Sequence, residues 1–471
     1  MKNLVNIDVV GSNTFGRYGK QSFAETTNLF ISDGALVCYP GYKKEIEFLT
    51  NGKSRGIFRS TRYDHLIVVV NNIVFSVTGS LGIATIGFLE TSFGEVYIAE
   101  NNNYEIAITD GNYIYSYNYK SKSFLRKELD FSPSYITFQD GYLIAPESDS
   151  QRWRLSDLNN SLIWPDDAQH VGEISTKADI AVAAIQFNRQ LFVFGEKVTE
   201  IWHNVGSPLF PYQRNNAISI DYGCLSKNTI SQGFGYLVWL ASNEKSNASI
   251  VVSTGGQPEF ISSDGLDFKI SSMNNPSNSI GFIFQESGHI FYHITFLDDN
   301  YSFVYDLTTK KLYTTTNEDF NFHIAKEVVF FNGYNYFISL IDACLYKMSD
   351  SLETYDYRLG SSNSNDLNFE IPRQRISSPL IFQNNKSKRV SALNIIQESG
   401  ASDNDQKIGL SVSYDGGYGY SDVVLQKIRQ SGLRKNMITF DSLGSSNSFC
   451  FKFEWWGKSR FVVLGATAEI F

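Results

Sequence analysis

Short runs of β-branched and aromatic residues, joined in pairs by Asn, Asp and Gly, recur along most of this chain, and that recurrence limits what it can fold into. His65–Val70 and Ile73–Val77 flank Asn71 and Asn72; Tyr104–Thr109 and Tyr113–Tyr117 flank Asp110, Gly111 and Asn112; Tyr135–Phe138 and Tyr142–Ile144 flank Gln139, Asp140 and Gly141. Four further turns, around Asn188, Gly233, Gly288 and Gly333, precede Leu191–Phe194, Tyr236–Trp239, His289–Tyr292 and Tyr334–Phe337. Each unit reads as a β-hairpin. Between Asn72, Gly111, Gly141, Asn188, Gly233, Gly288 and Gly333 the intervals are 39, 30, 47, 45, 55 and 45 residues. A mean of about 43 residues with several strands per unit is the period of a β-propeller blade. One four-stranded sheet cannot bury both of its faces alone, whereas blades packed around an axis bury each other's. Six or seven blades fit, and the 30-residue interval predicts an incomplete blade.

The pattern changes after Leu359, where Ser and Asn dominate up to Asp366. Beyond it lie short strands at Pro379–Phe382, Val390–Ile396, Ile408–Tyr414, Met437–Phe440, Ser448–Glu454 and Arg460–Leu464, which read as a β-sandwich. The expected fold is therefore all-β: an irregular six- or seven-bladed β-propeller, a C-terminal β-sandwich and an extended N-terminal arm. The expected boundaries are residues 1–50 for the arm and a ring-closing strand, 51–358 for the propeller, 359–368 for a linker and 369–471 for the sandwich. Helical periodicity is hard to find anywhere.

Composition supports this. Aromatics make up 15% of the 471 residues and charged residues 19%. The aromatic bias suits pleated, half-buried surfaces, and thin charge leaves a neutral-polar exterior suited to extended protein contacts. The net charge is −9. A protein that grips phosphates carries a basic stripe; the densest basic stretch here, Lys386–Arg389, is short and reads as a solvated strand end. An acidic wall repels a duplex and lets it slide past without sticking. Cys38, Cys224, Cys344 and Cys450 lack metal-ligand spacing and sit among apolar residues, as buried free thiols do. Met1–Asp8 has no apolar h-region, and no run reaches the length of a membrane span, so a soluble product of the cytoplasm is expected.

Chemistry is sparse. His289 and His293 have i, i+4 spacing, but on a strand they lie on one face about 13 Å apart, too far to share a metal. Asp166-Asp167 and Asp298-Asp299 sit in turn-like contexts, where carboxylates cap backbone N–H groups. Ser413–Tyr420 resembles the Asp-box turn of sialidase-type propellers, whose Asp caps its own hairpin. No nucleophile elbow, P-loop or dinucleotide fingerprint is present. No catalytic, cofactor-binding or metal residues are assigned, and the chain does not read as an enzyme. The adjacent Trp455 and Trp456 are the candidate protein-interface residues: on a strand one of them faces outward.

Several segments, in order, resemble one family. Asn28-Leu29 followed by Ala35–Gly41 resembles its opening motif. Gly141–Ala145 with Gln151–Leu158 is similar to its G-x-Y and W-x-[IL]-[ST]-D-L segment. Phe192–Gly195 with Thr199–Trp202 and Gly206, and later Ser413–Gly417, Leu443-Gly444 and Arg460, match the rest. The family is that of the packaged-DNA stabilisation protein, the tail hub or nozzle of lambdoid short-tailed phages. The resemblance implies a structural protein of the virion tail, assembled in the host cytoplasm. It implies a homohexameric ring below the portal and tail adaptor, with a needle or plug and tail fibres or spikes as further partners. Double-stranded DNA would pass through the lumen without specific binding. The alternatives are a carbohydrate-binding or sialidase-like propeller, which needs an arginine cluster and an acid pair at its axis, and a generic propeller scaffold.

Overall fold

The computed structural model describes residues 3–18, 23–50, 52–244, 248–359, 368–382, 386–399, 406–428 and 435–471; the Ser/Asn-rich part of the expected linker lies outside them. The strand Leu66–Val70 shows how the ring is built. Every one of its side chains is fully buried. Leu66, Val68 and Val70 pack on Phe331, Tyr336, Ile338 and Leu345 of one neighbouring sheet, while Ile67 and Val69 pack on Ile106, Ile108 and Tyr115 of the other. A strand covered on both faces reads as a continuous apolar run, and the two-residue period divides it between two partners.

Six blades are built mainly from consecutive strands, spanning residues 54–88, 97–127, 137–173, 181–214, 223–260 and 279–315. The seventh is composite: Ala325–Phe331, Tyr334–Ser339 and Cys344–Ser349 are completed by Gly41–Glu47 from the start of the chain, antiparallel to Cys344–Ser349. The blade at 97–127 has four full strands, so the incomplete blade expected from the 30-residue interval does not exist. The interval arises because Asn72 and Gly111 mark the second hairpin of their blades, whereas Gly141 and the later markers fall in the first hairpin. The 55-residue interval contains the helix Asp264–Ser271, capped by the Ser263 hydroxyl accepting from Leu266 N–H. Its short length hid it from the periodicity reading.

The first fifty residues thread through both halves of the molecule. Asn3–Ile7 and Ala35–Cys38 both pair with Phe461–Ile470 in one sandwich sheet, together with Lys388–Ser399 and Lys435–Asp441. Glu25–Thr27 pairs with Lys311–Thr315 of the sixth blade on one side and Arg373–Ile376 on the other. A single ten-stranded sheet thus runs from the propeller axis into the second sandwich sheet, Arg373–Ile376, Ser448–Trp456, Lys407–Ser413 and Val424–Lys427. Asn28 makes the crossing. It adopts φ +54°, a left-handed conformation that Asn tolerates. Its side chain donates to Thr316 Oγ1 (2.8 Å) and Pro372 O (2.7 Å) and accepts from Thr316 N–H (2.9 Å).

Candidate functional site: the propeller axis and the sandwich edge

The innermost strands of all seven blades surround an axial cavity of about 640 Å³. Its charged lining is engaged across blade seams. Lys326 of the seventh blade lies 2.6 Å from Glu95, at the edge of the second, and donates to Ser54 O of the first (3.0 Å). Glu327 accepts from Ile57 N–H (3.2 Å), and burial, with help from nearby Glu95, pushes its carboxyl up to about 7. Lys227 donates to Ser134 O (2.8 Å) and lies 5.3 Å from the Tyr97 ring; burial pulls its pKa down. Arg55, a buried lining residue, donates to the carbonyls of Asn71, Thr91, Phe93 and Gly94 at 2.7–3.0 Å. A carbohydrate-active propeller needs guanidinium groups free for a substrate anion. Here Arg55 is spent on backbone of its own blade and of the loop that follows it, and Arg59 and Arg62, which also line the cavity, donate to Phe330 O (2.9 Å) and Asn102 O (3.1 Å). The axis is a stitched seam: Lys326 and Glu327 tie the seventh blade to the first and second, and Lys227 ties the fifth blade to the segment that leads into the third.

The other polar residues singled out in the sequence serve local structure. His289 Nδ1 is 2.7 Å from Asp306 and its Nε2 3.0 Å from Ser32 Oγ, while His293 Nε2 meets Thr315 Oγ1 (2.8 Å). Asp298 accepts from the side chains of Asn275 and Asn278, and Asp299 from Asn274. Asp166 pairs with Arg152 and Asp167 with His170. In the Asp-box-like turn Asp415 accepts from the N–H groups of Tyr418 (2.9 Å) and Gly419 (3.0 Å), a hairpin cap. The four cysteines are free and buried.

The strand Ser448–Trp456 separates the two tryptophans. Trp455 is buried, donates to Gln397 Oε1 (3.3 Å) and stacks on Phe461, whereas Trp456 faces outward over Gly409 and is 38% exposed. Sequence reasoning missed Arg375. This fully buried guanidinium pairs with Asp8 (2.7 Å) and donates to Ser12 O (3.0 Å) and Thr26 Oγ1 (2.9 Å), which pins the N-terminal segment to the sandwich. The available signal was the alternation Arg373-Gln374-Arg375 in a strand otherwise destined for the core.

A propeller closed by an N-terminal strand and fused through a shared sheet to a C-terminal sandwich defines a two-domain all-β protein. The chain belongs to the bacteriophage P22 Gp10 family: the β-propeller model of that family matches residues 18–333 and its β-sandwich model residues 373–471. This is the packaged-DNA stabilisation family of short-tailed phages, and the chain is accordingly a structural protein of a phage tail and a component of the virion. No curated protein matches it. Solved structures similar to it include a streptogramin B lyase (14% identity, 66% of this chain and 97% of that one, TM-score 0.45). Virginiamycin B lyase from Staphylococcus aureus (13%, 66% and 99%, TM-score 0.47) and the N-terminal domain of Nup159 (9%, 66% and 95%, TM-score 0.43) are also similar. Among the described residues no helix is long and apolar enough to cross a membrane.

Proposed function

We propose that this chain is the tail hub, or nozzle, subunit: six copies form a ring below the portal and adaptor that retains packaged DNA and conducts it at ejection. The observation that carries the reading is the match of both halves of the chain to the Gp10 family. Two physical features support it. The axial cavity, about 640 Å³ and crossed by side chains, is of small-molecule size and has no room for a duplex, so DNA would run between copies. The net charge of −9 disfavours adhesion to phosphates, as a conduit requires. The reading assigns the protein no catalysis and no cofactor, and places Trp456 among the residues that meet other tail proteins.

The test is the native mass and negative-stain image of the purified chain, alone and with the tail adaptor of the same phage. A six-fold ring with a central hole is expected once the adaptor is present. A chain that stays monomeric with its adaptor would overturn the reading.

A further inference from the structure

We infer that the sandwich edge strand Val424–Lys427 is a docking edge for an extended acidic–apolar strand of a partner protein. The strand ends the ten-stranded sheet, and among the described residues only Lys407–Ser413 pairs with it. All four of its residues are exposed. Exposed edges are normally blunted by charge, proline or a bulge, because their free N–H and C=O groups recruit other strands. Here Val423, Val424 and Leu425 lie bare and Lys427 alone is charged.

The outward face has a definite layout. Ile408 and Leu410 point into the core, so Lys407 and Gly409 point out, and their cross-strand partners are Lys427 and Leu425. Gly409 supplies the seat for an apolar patch. A Cβ there would come within 2.5 Å of Val423 and 2.6 Å of the Trp456 ring, so both side chains rest on its backbone. With Leu425, half exposed, they form a continuous apolar surface beside the free edge.

Charge specifies what covers it. Lys407 and Lys427 stand directly opposite each other, an arrangement that is unfavourable for like charges, and no carboxylate pairs with either among the described residues. A partner strand that places an acidic residue beside Lys427 and apolar residues beside Leu425 and Val423 would relieve the repulsion and bury the patch. The same edge of a second copy does not satisfy this. Antiparallel pairing about a two-fold axis keeps residues of like parity opposite each other, which sets Lys427 against Ser421, Val423, Leu425 or a second Lys427, none of them acidic. Main-chain bonding would supply affinity and the side-chain pattern specificity.

The inference goes beyond the tail-hub reading and is tested on the full-length chain without the adaptor, so failure of either leaves the other standing. The probe is a fluorescent capped peptide, Glu-Thr-Val-Val-Val-Thr-Glu, whose symmetric order fits either strand direction, with a second peptide carrying Lys for Glu. The Glu peptide is expected to bind at least tenfold tighter than the Lys peptide and to slow hydrogen exchange at residues 424–427. Lys407→Glu/Lys427→Glu, a change confined to surface charge, is expected to reverse the preference, and Leu425→Asp to abolish binding of both. Absent binding, equal binding of the two peptides, or an unreversed preference in the charge variant would each overturn the proposal. Self-association in sedimentation that Val424→Lys abolishes would overturn it too, assigning the edge to a second copy.

Discussion

His293 and His323 lie fully buried between the sixth and seventh blades, with ring centres 5.2 Å apart. Burial holds His323 down to about 3 and His293 well below the usual imidazole range, with a further push from its neighbour. In the unfolded chain both titrate near 6.5. Their contribution is therefore full above about pH 6.5 and is lost as pH falls, because the unfolded chain then takes up protons that the folded one refuses; each adds a slope of up to about 1.4 kcal/mol per pH unit. Glu327 acts in the opposite sense. Its folded carboxyl titrates at about 7 against an ordinary 4.5, so the folded state holds the extra proton and stability falls as pH rises from 4.5 through 7. Glu327→Gln should therefore match the parent in urea midpoint near pH 4.5 and exceed it increasingly up to pH 7.5. A gain that is the same at every pH would show that this carboxyl does not titrate there. Arg375→Met strands the partners of a buried guanidinium and should lower stability by about 3 kcal/mol in urea titration. Asp8→Asn should cost less, because Asp8 is half exposed and solvent screens its charge.

The element that closes the ring is the strand Gly41–Glu47, held antiparallel by Cys344–Ser349 and parallel by Thr354–Asp356. Tyr42, its second residue, is fully buried and stacks on Tyr355 at 4.2 Å. Gly41 is required by close approach: an added Cβ would meet Thr354 O at 2.5 Å and Leu352 O at 2.6 Å, both rigid backbone. Gly41→Ala should cost about 1–3 kcal/mol through overpacking. Its signature should be faster hydrogen exchange in Cys344–Ser349, with exchange unchanged in the blades at 137–173 and 181–214. The hairpins of these elements were legible in the sequence because each turn carries Asn or Gly in left-handed backbone, as Asn71, Gly111, Gly141, Asn188, Gly288 and Gly333 do. Which hairpin of a blade each turn closes was not legible, since first and second hairpins use the same turn residues.

At the scale of the whole molecule, the two halves are not separable modules. The sandwich core includes Ile7, Val9, Leu29, Leu36 and Cys38 from the first forty residues alongside Leu393, Phe451 and Val463. A fragment of residues 369–471 should thus fail to fold alone, and the same fragment with a peptide of residues 1–40 should recover β-sheet circular dichroism and resist proteolysis. Recovery of full structure by the fragment alone would show that the N-terminal strands are dispensable to the core. The shared sheet also gives a mechanical expectation: load on the sandwich passes through Glu25–Thr27 into the sixth blade as main-chain hydrogen bonds.

The all-β class, the blade period, most of the sandwich strands (Arg373–Ile376 and Val424–Lys427 escaped) and the structural use of the acidic turns were determined by local patterning alone. Alternation and turn chemistry act over a few residues, and those residues are adjacent in the chain. The outward turn of one of Trp455 and Trp456 follows from the same two-residue period. Other features needed the tertiary structure because their partners are hundreds of residues apart: Gly41–Glu47 with Cys344–Ser349, Asp8 with Arg375, and Asn3–Ile7 with Phe461–Ile470. A strand's alternation states that it needs a neighbour on each side, and it carries no label for which one. Only closure of the ring decides that choice, because every unpaired edge and half-covered face must be buried at once.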